Sequence, residues 1–183
     1  GTDWSGASIH LVTAAWSLES RLVRAGKGGR LAFDRKTLFH VDTARFFLNN
    51  HAAAMSSRNA WHQEPGDSTV RWTGASNKLE VATIPVGIKV GGHSWIRIEG
   101  LRLSGFGSKA IDGLGPHGNV SDCRIEFPGE YGIVANGRES RIERNGIRGS
   151  SNAGILASGC TGCLVRDNRI HRNKEERRVG KEC

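Results

Sequence analysis

Three segments of the chain resemble Ser140-Arg141-Ile142-Glu143-Arg144-Asn145-Gly146-Ile147. They span residues 96–103, 118–125 and 163–170, so the segments recur every 22 or 23 residues. The apolar residues of this repeat fall in three columns: Ile98, Val120, Ile142 and Val165; Leu103, Ile125, Ile147 and Ile170; and Ile88, Ile111, Ile133 and Ile155. Each repeat is therefore predicted to hold three short strands with alternating apolar residues, separated by Gly, Asn and Asp corners.

A strand of three residues cannot bury its apolar side alone. Stacking one coil on the next places like residues about 4.8 Å apart and joins the apolar columns into one core. The segments lack the 3.6-residue period of helical repeats and the Leu-and-Asn signature of leucine-rich repeats. Glycine, at 25 of 183 residues, is about twice its usual ~7%, as many tight corners require. We therefore predict stacked parallel β-coils.

One corner position of the repeat holds Leu101, Cys123, Asn145 and Asn168. Asn tolerates the left-handed backbone conformation, so we expect these residues to adopt it and the Asn side chains to bond coil to coil. This pattern, over residues 86–173, resembles the Asn ladder of the pectin lyase-like right-handed parallel β-helix superfamily. The resemblance implies an all-β fold, in which a right-handed parallel β-helix follows a small β-rich module.

The first half of the chain, residues 1–85, lacks the repeat. Short strands are predicted at residues 8–12, 18–23, 30–33, 69–72 and 79–82. Residues 26–29 predict a turn, and residues 43–55 predict a short helix capped at Asp42 or Thr43. Residues 61–67 predict a loop that leads into the next strand.

The order of residues in this half carries a second resemblance, through Trp4, Gly6-Ala7, residues 18–21, residues 45–51, Trp61 and residues 70–72. It is similar to a small β-rich insert of large bacterial β-helix proteins, some of them assigned to glycoside hydrolase families. The resemblance implies a flap or platform in which Trp61 and Trp72 stack on sugars. The alternative is that both tryptophans pack in the core of a small β domain.

Both ends of the chain suggest a fragment. The sequence begins at Gly1 and not at Met, so we expect it to start inside a longer protein or to have lost a leader. Residues 175–183 resemble a translated sequencing adapter, with a genuine charged terminus as the alternative. The predicted domains are the module at 1–85, truncated coils at 86–174 and a non-native tail at 175–183. The β-helix resemblance implies a secreted or cell-surface protein of a bacterium.

The net charge of +8 is compatible with an acidic polysaccharide, a nucleic acid or an anionic membrane surface. The arginines are scattered singly, without a run of five like charges, so a solvated basic surface is the simplest interpretation and no nucleic-acid partner is expected. No stretch approaches 18 apolar residues, so no membrane span is expected. The oligomeric state stays open.

The superfamily resemblance implies that the sheet of Ile88, Ile111, Ile133 and Ile155 carries the active site. The residues beside these isoleucines that are expected to point outward are Lys89, Asp112, Val134 and Leu156. Loops that border the sheet add five candidates, Lys109, His117, Glu130, Tyr131 and Asn136. Each of these residues also has a plain alternative as surface decoration.

Two chemistries compete at this sheet. A glycosidase needs two carboxyl groups, for which Asp112 and Glu130 are the candidates. A polysaccharide lyase acting on uronic acids needs a base, which Lys89 or Lys109 would supply. We predict a polysaccharide-degrading enzyme, most simply a glycoside hydrolase, whose active site lies here or in coils outside the fragment. The alternatives are the lyase and a β-helix that binds glycans or serves a structural role without catalysis.

Cys160-Thr161-Gly162-Cys163 has the spacing of a metal or redox motif, but a zinc site would need a second ligand pair. Register places Cys163 inward, in the column of Ile96, so a buried thiol is expected. We predict no metal site and no cofactor, with Ca²⁺ considered only for a lyase. Ser-His-Asp combinations show no spacing signature in the sequence.

Overall fold

The structure, a computed structural model, describes residues 1–14, 17–39, 45–56, 60–64, 66, 68–75 and 79–171. These residues form two compact units, of which the first is Gly1–Leu79 and the second begins at Glu80. The predicted helix caps Asp42 and Thr43 and the adapter-like tail at 175–183 lie outside the described residues.

The first unit is built on an antiparallel sheet in which four strands lie in the order β3-β2-β1-β4. These strands are β1 (Ser8–Ala14), β2 (Ser17–Lys27), β3 (Arg30–Phe33) and β4 (Arg45–Asn49). Ile9 and Leu11 alternate along β1 and form a small buried core with Val23 and with Ala7, which precedes the strand. The period-2 pattern thus specifies the buried face, as the sequence predicted for β1, β2 and β3.

Two further strands, β5 (Trp61–Gln63) and β6 (Val70–Trp72), pair antiparallel. The prediction of a loop over residues 61–67 is therefore wrong for its first three residues, because β6 offers them a ladder partner. The predicted strand at residues 79–82 is also wrong. Leu79 and Val81 alternate as in a strand but are exposed, so no buried face holds them in one.

The predicted helix over residues 43–55 is wrong for its middle part. Residues 45–49 form strand β4, which pairs with β1 through Leu11 opposite Phe46 and Ile9 opposite Leu48. Only Ala52–Ser56 is helical, as a single 3₁₀ turn. Pairing with β1 places Leu48 against the buried core, and this tertiary gain outweighs the local helical preference.

The second unit is a parallel solenoid of about four coils, in which every coil adds one strand to each of three sheets. Sheet 1 contains β7 (Val86–Lys89), β10 (Lys109–Leu114), β13 (Tyr131–Ala135) and β16 (Ala153–Ala157). Sheet 2 contains β8 (Arg97–Glu99), β11 (Asn119–Ser121), β14 (Arg141–Glu143) and β17 (Leu164–Arg166). Sheet 3 contains β9 (Arg102–Ser104), β12 (Arg124–Glu126), β15 (Gly146–Arg148) and β18 (Arg169–His171).

The three predicted apolar columns are confirmed by the strand register. Ile111 pairs with Ile88 and Ile133, Val120 pairs with Ile98 and Ile142, and the column of Ile125 follows the same rule. Most members of these columns in the middle coils are completely buried. The solenoid core is therefore the stack of like residues that the repeat specifies.

The Asn ladder is confirmed, but the left-handed residue is one position earlier than predicted. Asn145 Nδ2 donates to the Val120 carbonyl at 2.9 Å, and Asn145 Oδ1 accepts from the Cys123 amide at 2.9 Å. Asn168 Oδ1 accepts in turn from the Asn145 amide at 3.0 Å. At this corner of the four coils, the residues with positive φ are Gly100, Asp122, Arg144 and Asp167. The chain turns at these residues, which leaves the Asn side chain free to enter the space between coils.

Candidate functional site

Sheet 1 brings three of the predicted site residues together. Asp112 lies opposite Lys89 on the neighbouring strand, and Lys109 Nζ donates to Asp112 Oδ1 at 2.8 Å. The Asp112 carboxylate is therefore engaged by one lysine and adjacent to another. The ion pair with Lys109 neutralises the Asp112 carboxylate, and among the contacts of the described residues Asp112 has no second carboxyl group beside it.

Glu130 lies at the other end of the same sheet. Tyr131 pairs with Lys109, which places Glu130 four residues from Asp112 along the strands and one strand across. Strand geometry gives a Cα separation of about 14 Å. The two carboxyl groups of a glycosidase lie about 5 to 9.5 Å apart. The side chain of Glu130 instead accepts a hydrogen bond from the Ser108 hydroxyl at 2.8 Å.

The remaining candidates on sheet 1 have local partners. Asn152 Nδ2 donates to the Tyr131 hydroxyl at 2.7 Å. The backbone N–H of Asn136 donates to the Leu114 carbonyl at 3.0 Å, and Asn136 is exposed. Val134, expected on the outward face, is only 6% exposed. It pairs directly with Leu156, and a short side chain between longer neighbours is covered by them. The outward face of sheet 1 is therefore partly apolar and partly closed.

Trp61 and Trp72 lie directly opposite each other in the β5–β6 pair, and both are half-buried. A Cβ atom at Gly74 would come within 1.9 Å of the Trp72 ring, so the chain at Gly74 packs tightly against the indole. This geometry favours the packing alternative over the sugar-stacking one.

A group of cationic side chains that the sequence did not single out lies on sheet 3. We call it the arginine groove, and it consists of Arg102, Arg124, Glu126, Gly146, Arg148, Arg169 and His171. Each member lies next to an inward-facing residue of the third apolar column (Leu103, Ile125, Ile147 or Ile170), so alternation turns it to the outer face. A cavity of about 340 Å³ lies over this face.

The centre of the arginine groove is the carboxylate of Glu126, whose side chain is only 4% exposed. Arg124 Nε donates to Oε1 at 2.9 Å, and Arg102 Nη2 donates to Oε2 at 3.1 Å. Arg148 Nε lies 2.7 Å from Oε1. Hydrogen bonding by Arg124, and then by Arg102, lowers the pKa of Glu126 to about 2. The carboxylate is therefore ionised at neutral pH and holds three guanidinium groups in place.

Gly146 forms the floor of the arginine groove. It pairs with Arg124 on one side and with Arg169 on the other, so it interrupts a column of arginines. A Cβ atom at Gly146 would meet nothing within 4 Å. The two flanking arginines belong to coils two steps apart, or about 9.6 Å at the backbone. The result is an open space above Gly146, between Arg124 and Arg169, which we call the seat.

The arginine groove carries an excess of positive charge. The groove holds four arginines and one carboxylate, that of Glu126, which leaves three positive charges uncompensated. Within the residues that the structure describes, Arg169 has no ion-pair partner. Arg148 also lies over the Phe127 ring, with its Cζ 5.2 Å from the ring centroid. Each guanidinium offers five N–H donors, more than Glu126 can accept.

Comparison with known proteins identifies the fold family. Residues 67–180 match the family described as right handed beta helix region. The chain belongs to this family. No curated protein and no solved structure matches the chain. The match thus agrees with the parallel coils of the second unit and makes them a right-handed β-helix, without pointing to an activity.

The cysteine pair of the right-handed β-helix is present as free thiols. Cys160 Sγ and Cys163 Sγ lie 3.2 and 3.0 Å from the same acceptor, the Gly137 carbonyl. Burial, and then the neighbouring Cys163, raises the pKa of Cys160 to about 12. Both residues are half-buried, so the buried thiol expected at Cys163 is found only in part, because the third coil covers these thiols on one side. Within the described ranges, no three His, Cys, Asp or Glu side chains are placed to hold a metal ion.

His117 lies at the corner of the β-helix between sheets 1 and 2. Its ring stacks on Trp95, with 4.2 Å between ring centroids, and its Nδ1 lies 3.1 Å from Glu139 Oε2. The sequence singled out His117 but missed Trp95, because this corner position differs in every coil and gives no repeat signal.

A polar network of the first unit was also missed. Ser20 Oγ lies 2.8 Å from His10 Nδ1, and His10 Nε2 lies 3.1 Å from Asn49 Oδ1. The three residues come together because β2, β1 and β4 are adjacent strands. Ser20 is exposed on an open sheet face, which lacks the exclusion of water that acyl transfer requires.

In the described ranges, no helical segment has the length and apolar character that a bilayer crossing needs.

Proposed function

We propose that the right-handed β-helix binds an acidic polysaccharide in the arginine groove. One observation carries the proposal. Buried Glu126 fixes three arginines around an open seat at Gly146, and Arg169 completes the seat from the next coil. Such a site is built before the ligand arrives, so little side-chain entropy remains to be lost on binding.

Uronic acid units match the chemistry of this seat. Arginine binds carboxylates through two parallel N–H···O bonds, and its planar guanidinium favours this geometry over a point charge. The cavity of about 340 Å³ falls in the range of ~300 to 1,000 Å³ that small ligands occupy. One or two sugar units fit such a volume, and the cations repeat from coil to coil. A linear polyanion would therefore contact several arginines at once.

The site favours a polysaccharide over a nucleic acid. Arg148 covers one face of the exposed Phe127 ring near the groove, which leaves a single face of this ring for base stacking. Competition with DNA is one outcome of the test below.

Catalysis at sheet 1 receives less support from the geometry. The glycoside hydrolase prediction relies on two acids, Asp112 and Glu130. The strand register places their Cα atoms about 14 Å apart. The lyase prediction relies on Lys89 and Lys109, and Lys109 is paired with Asp112. Both activities stay predictions, as does a site in coils outside this chain, and binding is the function for which a built site supports the case.

Affinity of the full chain for polygalacturonate tests the proposal. We expect saturable binding in titration calorimetry that weakens as sodium chloride rises from 50 to 300 mM, with no binding to a neutral glucan. Arg169→Gln should reduce affinity about tenfold at the lower salt, which equals one charge-assisted contact of about 1.4 kcal/mol.

The matched control is Arg141→Gln, which removes the same charge from an exposed first residue of a strand on sheet 2. It should leave the affinity unchanged. Equal losses in both variants would reduce the binding to net charge and overturn the assignment to the arginine groove. Displacement of polygalacturonate by DNA at matched charge concentration would favour the nucleic-acid alternative.

A further inference from the structure

We propose that Cys160 and Cys163 form a reversible disulfide bond, which makes one corner of the fourth coil a redox-sensitive modification site. This corner joins strands β16 and β17, and the two thiols stand at the ends of the motif Cys160-Thr161-Gly162-Cys163. The oxidant that the bond requires is a small disulfide, such as oxidised glutathione. The proposal is independent of the arginine groove, which lies on sheet 3.

The corner that carries the motif is one residue longer than the same corner of the third coil. Val165 follows its partner Ile142 by 23 residues, whereas Ala157 follows its partner Ala135 by 22. The extra residue therefore lies between β16 and β17. The chain bends at Gly162, whose φ of 68° is favourable only without a Cβ atom. The two cysteines thus stand on either side of one bend.

Three side chains meet at the carbonyl oxygen of Gly137. Cys160 Sγ and Cys163 Sγ lie 3.2 and 3.0 Å from this oxygen. The Ser140 hydroxyl lies 2.9 Å from it and shares its proton with the Gly115 carbonyl, at 2.8 Å. A carbonyl oxygen has two lone pairs, so it cannot accept fully from all three groups, and a thiol is only a weak donor. The two sulfur atoms are therefore held together at an oxygen that has too few lone pairs for both.

A disulfide bond would relieve this crowding, because it removes both S–H groups and leaves the oxygen to the hydroxyl. The geometry of the corner suits such a bond. The ends of a tight four-residue bend lie within about 7 Å of each other at Cα, and disulfides span about 4.4 to 6.8 Å. Both side chains also point to one atom, so their Cβ atoms face each other as the bond needs.

The bond forms by thiol–disulfide exchange in two steps. Cys163 loses its proton, and its sulfur attacks one sulfur of oxidised glutathione, which releases one glutathione thiolate and leaves a mixed disulfide. Cys160 then loses its proton and attacks the Cys163 sulfur, which releases the second glutathione thiolate. The two thiolates take up the two protons, so two protein thiols are oxidised while one glutathione disulfide is reduced. The raised pKa of Cys160 suits the second step, in which the sulfur that it attacks is already adjacent.

Peptide mapping by mass spectrometry tests the proposal on the full chain, after equilibration in glutathione buffers from fully reduced to fully oxidised. We expect a bond between Cys160 and Cys163 in oxidised buffer, seen as the loss of two hydrogen atoms from the peptide that contains both, and its reversal in reduced buffer. Cys123 is the internal control, because it is 2% exposed and should stay a free thiol.

The melting temperature gives a second measurement. The oxidised chain should melt at a higher temperature than the reduced chain, because the bond also restricts the unfolded chain. Cys160→Ser should abolish both the internal bond and this difference, and Cys123→Ser should preserve both.

Four results would overturn the proposal. The first is the absence of any mass change at the two cysteines in fully oxidised buffer. The second is glutathione attached to either thiol without an internal bond. The third is a bond from either thiol to Cys123, to Cys183 or to a second chain. The fourth is an oxidised chain that melts at or below the temperature of the reduced chain, which would show that the bond does not fit the corner.

Discussion

The replacement Gly146→Val separates stability from binding in the arginine groove. Gly146 is the first residue of β15 and has a φ outside the left-handed region, and a Cβ atom there meets nothing within 4 Å. A valine would therefore fit without moving the protein. Glycine costs a strand about 0.5 to 1 kcal/mol relative to alanine, and valine adds favourable β propensity. We expect the free energy of unfolding to rise by about 1 kcal/mol.

The same side chain fills the seat between Arg124 and Arg169. An acidic sugar would then have to displace the valine methyl groups or bind farther from both guanidinium groups. We expect the affinity for polygalacturonate to fall at least tenfold, or about 1.4 kcal/mol, while the protein becomes more stable. The two effects have opposite signs, which a general defect of folding cannot produce.

Urea unfolding followed by circular dichroism gives the stability, and titration calorimetry gives the affinity. Gly146→Ala is the matched control, because its single methyl group gives most of the strand stabilisation and leaves most of the seat open. Its affinity should lie between those of the natural protein and Gly146→Val. Unchanged affinity in Gly146→Val would refute the seat. A loss of stability in both variants would instead refute the open space assigned to Gly146.

Three further predictions concern Glu126, Asn145 and Cys160. The folded-state pKa of Glu126, about 2, lies below the ordinary value of 4.5 for this side chain, so its contribution to stability is present above pH 4.5 and is lost as the pH falls towards 2. Melting temperatures between pH 6 and pH 2 should therefore decline less for Glu126→Gln than for the natural protein, and parallel curves would contradict this. Asn145→Ala leaves the Cys123 amide and the Val120 carbonyl without their partner, and should lower the free energy of unfolding in urea by about 3 kcal/mol. The control is Asn152→Ala, which should lower it by less than half of that, because the side-chain amide of Asn152 contacts a tyrosine hydroxyl and no buried backbone group. The raised pKa of Cys160, about 12, should keep this thiol unreactive to iodoacetamide at pH 8 in the native state and reactive in urea, as read by mass spectrometry, and rapid native labelling would contradict the raised pKa.

The repeat predicts the solenoid core because each core position is fixed by the residue above it and the residue below. A side chain such as Ile133 meets Ile111 and Ile155 at the spacing of strands, so its apolar character recurs and is visible in the sequence. The corners are less visible. Asp122 and Arg144 adopt the left-handed conformation, although Asn145 is the better residue for it, because the ladder requires the Asn side chain between the coils.

The first unit is harder to predict because its strands pair over long separations. Residues 45–49 resemble a helix locally, and only the contact of β4 with β1 makes them a strand. The network of Ser20, His10 and Asn49 depends on the same pairings. Neither feature leaves a periodic signal, since no second copy of the unit exists in the described chain to repeat it.

The arginine groove could have been found from the repeat itself. Arg102, Arg124, Gly146 and Arg169 each precede an apolar residue of one column, so the coil periodicity already places them in one line on one face. What the sequence could not supply is the burial of Glu126, which depends on three arginines closing over it. Superfamily resemblance directed attention to sheet 1 and away from this line.

A solenoid turns positions in the sequence into a ladder with one rung about every 4.8 Å. The inward rungs must be apolar to form the core, but the outward rungs carry no packing requirement and are free to differ. On sheet 3 the first residue of the strand is arginine in three of the four coils and glycine in the third coil. An array of like charges is unfavourable in the free protein, and Glu126 offsets part of that repulsion. A ligand that is itself linear, repetitive and anionic would neutralise the remaining charge, and this match is the reason why we propose an acidic polysaccharide.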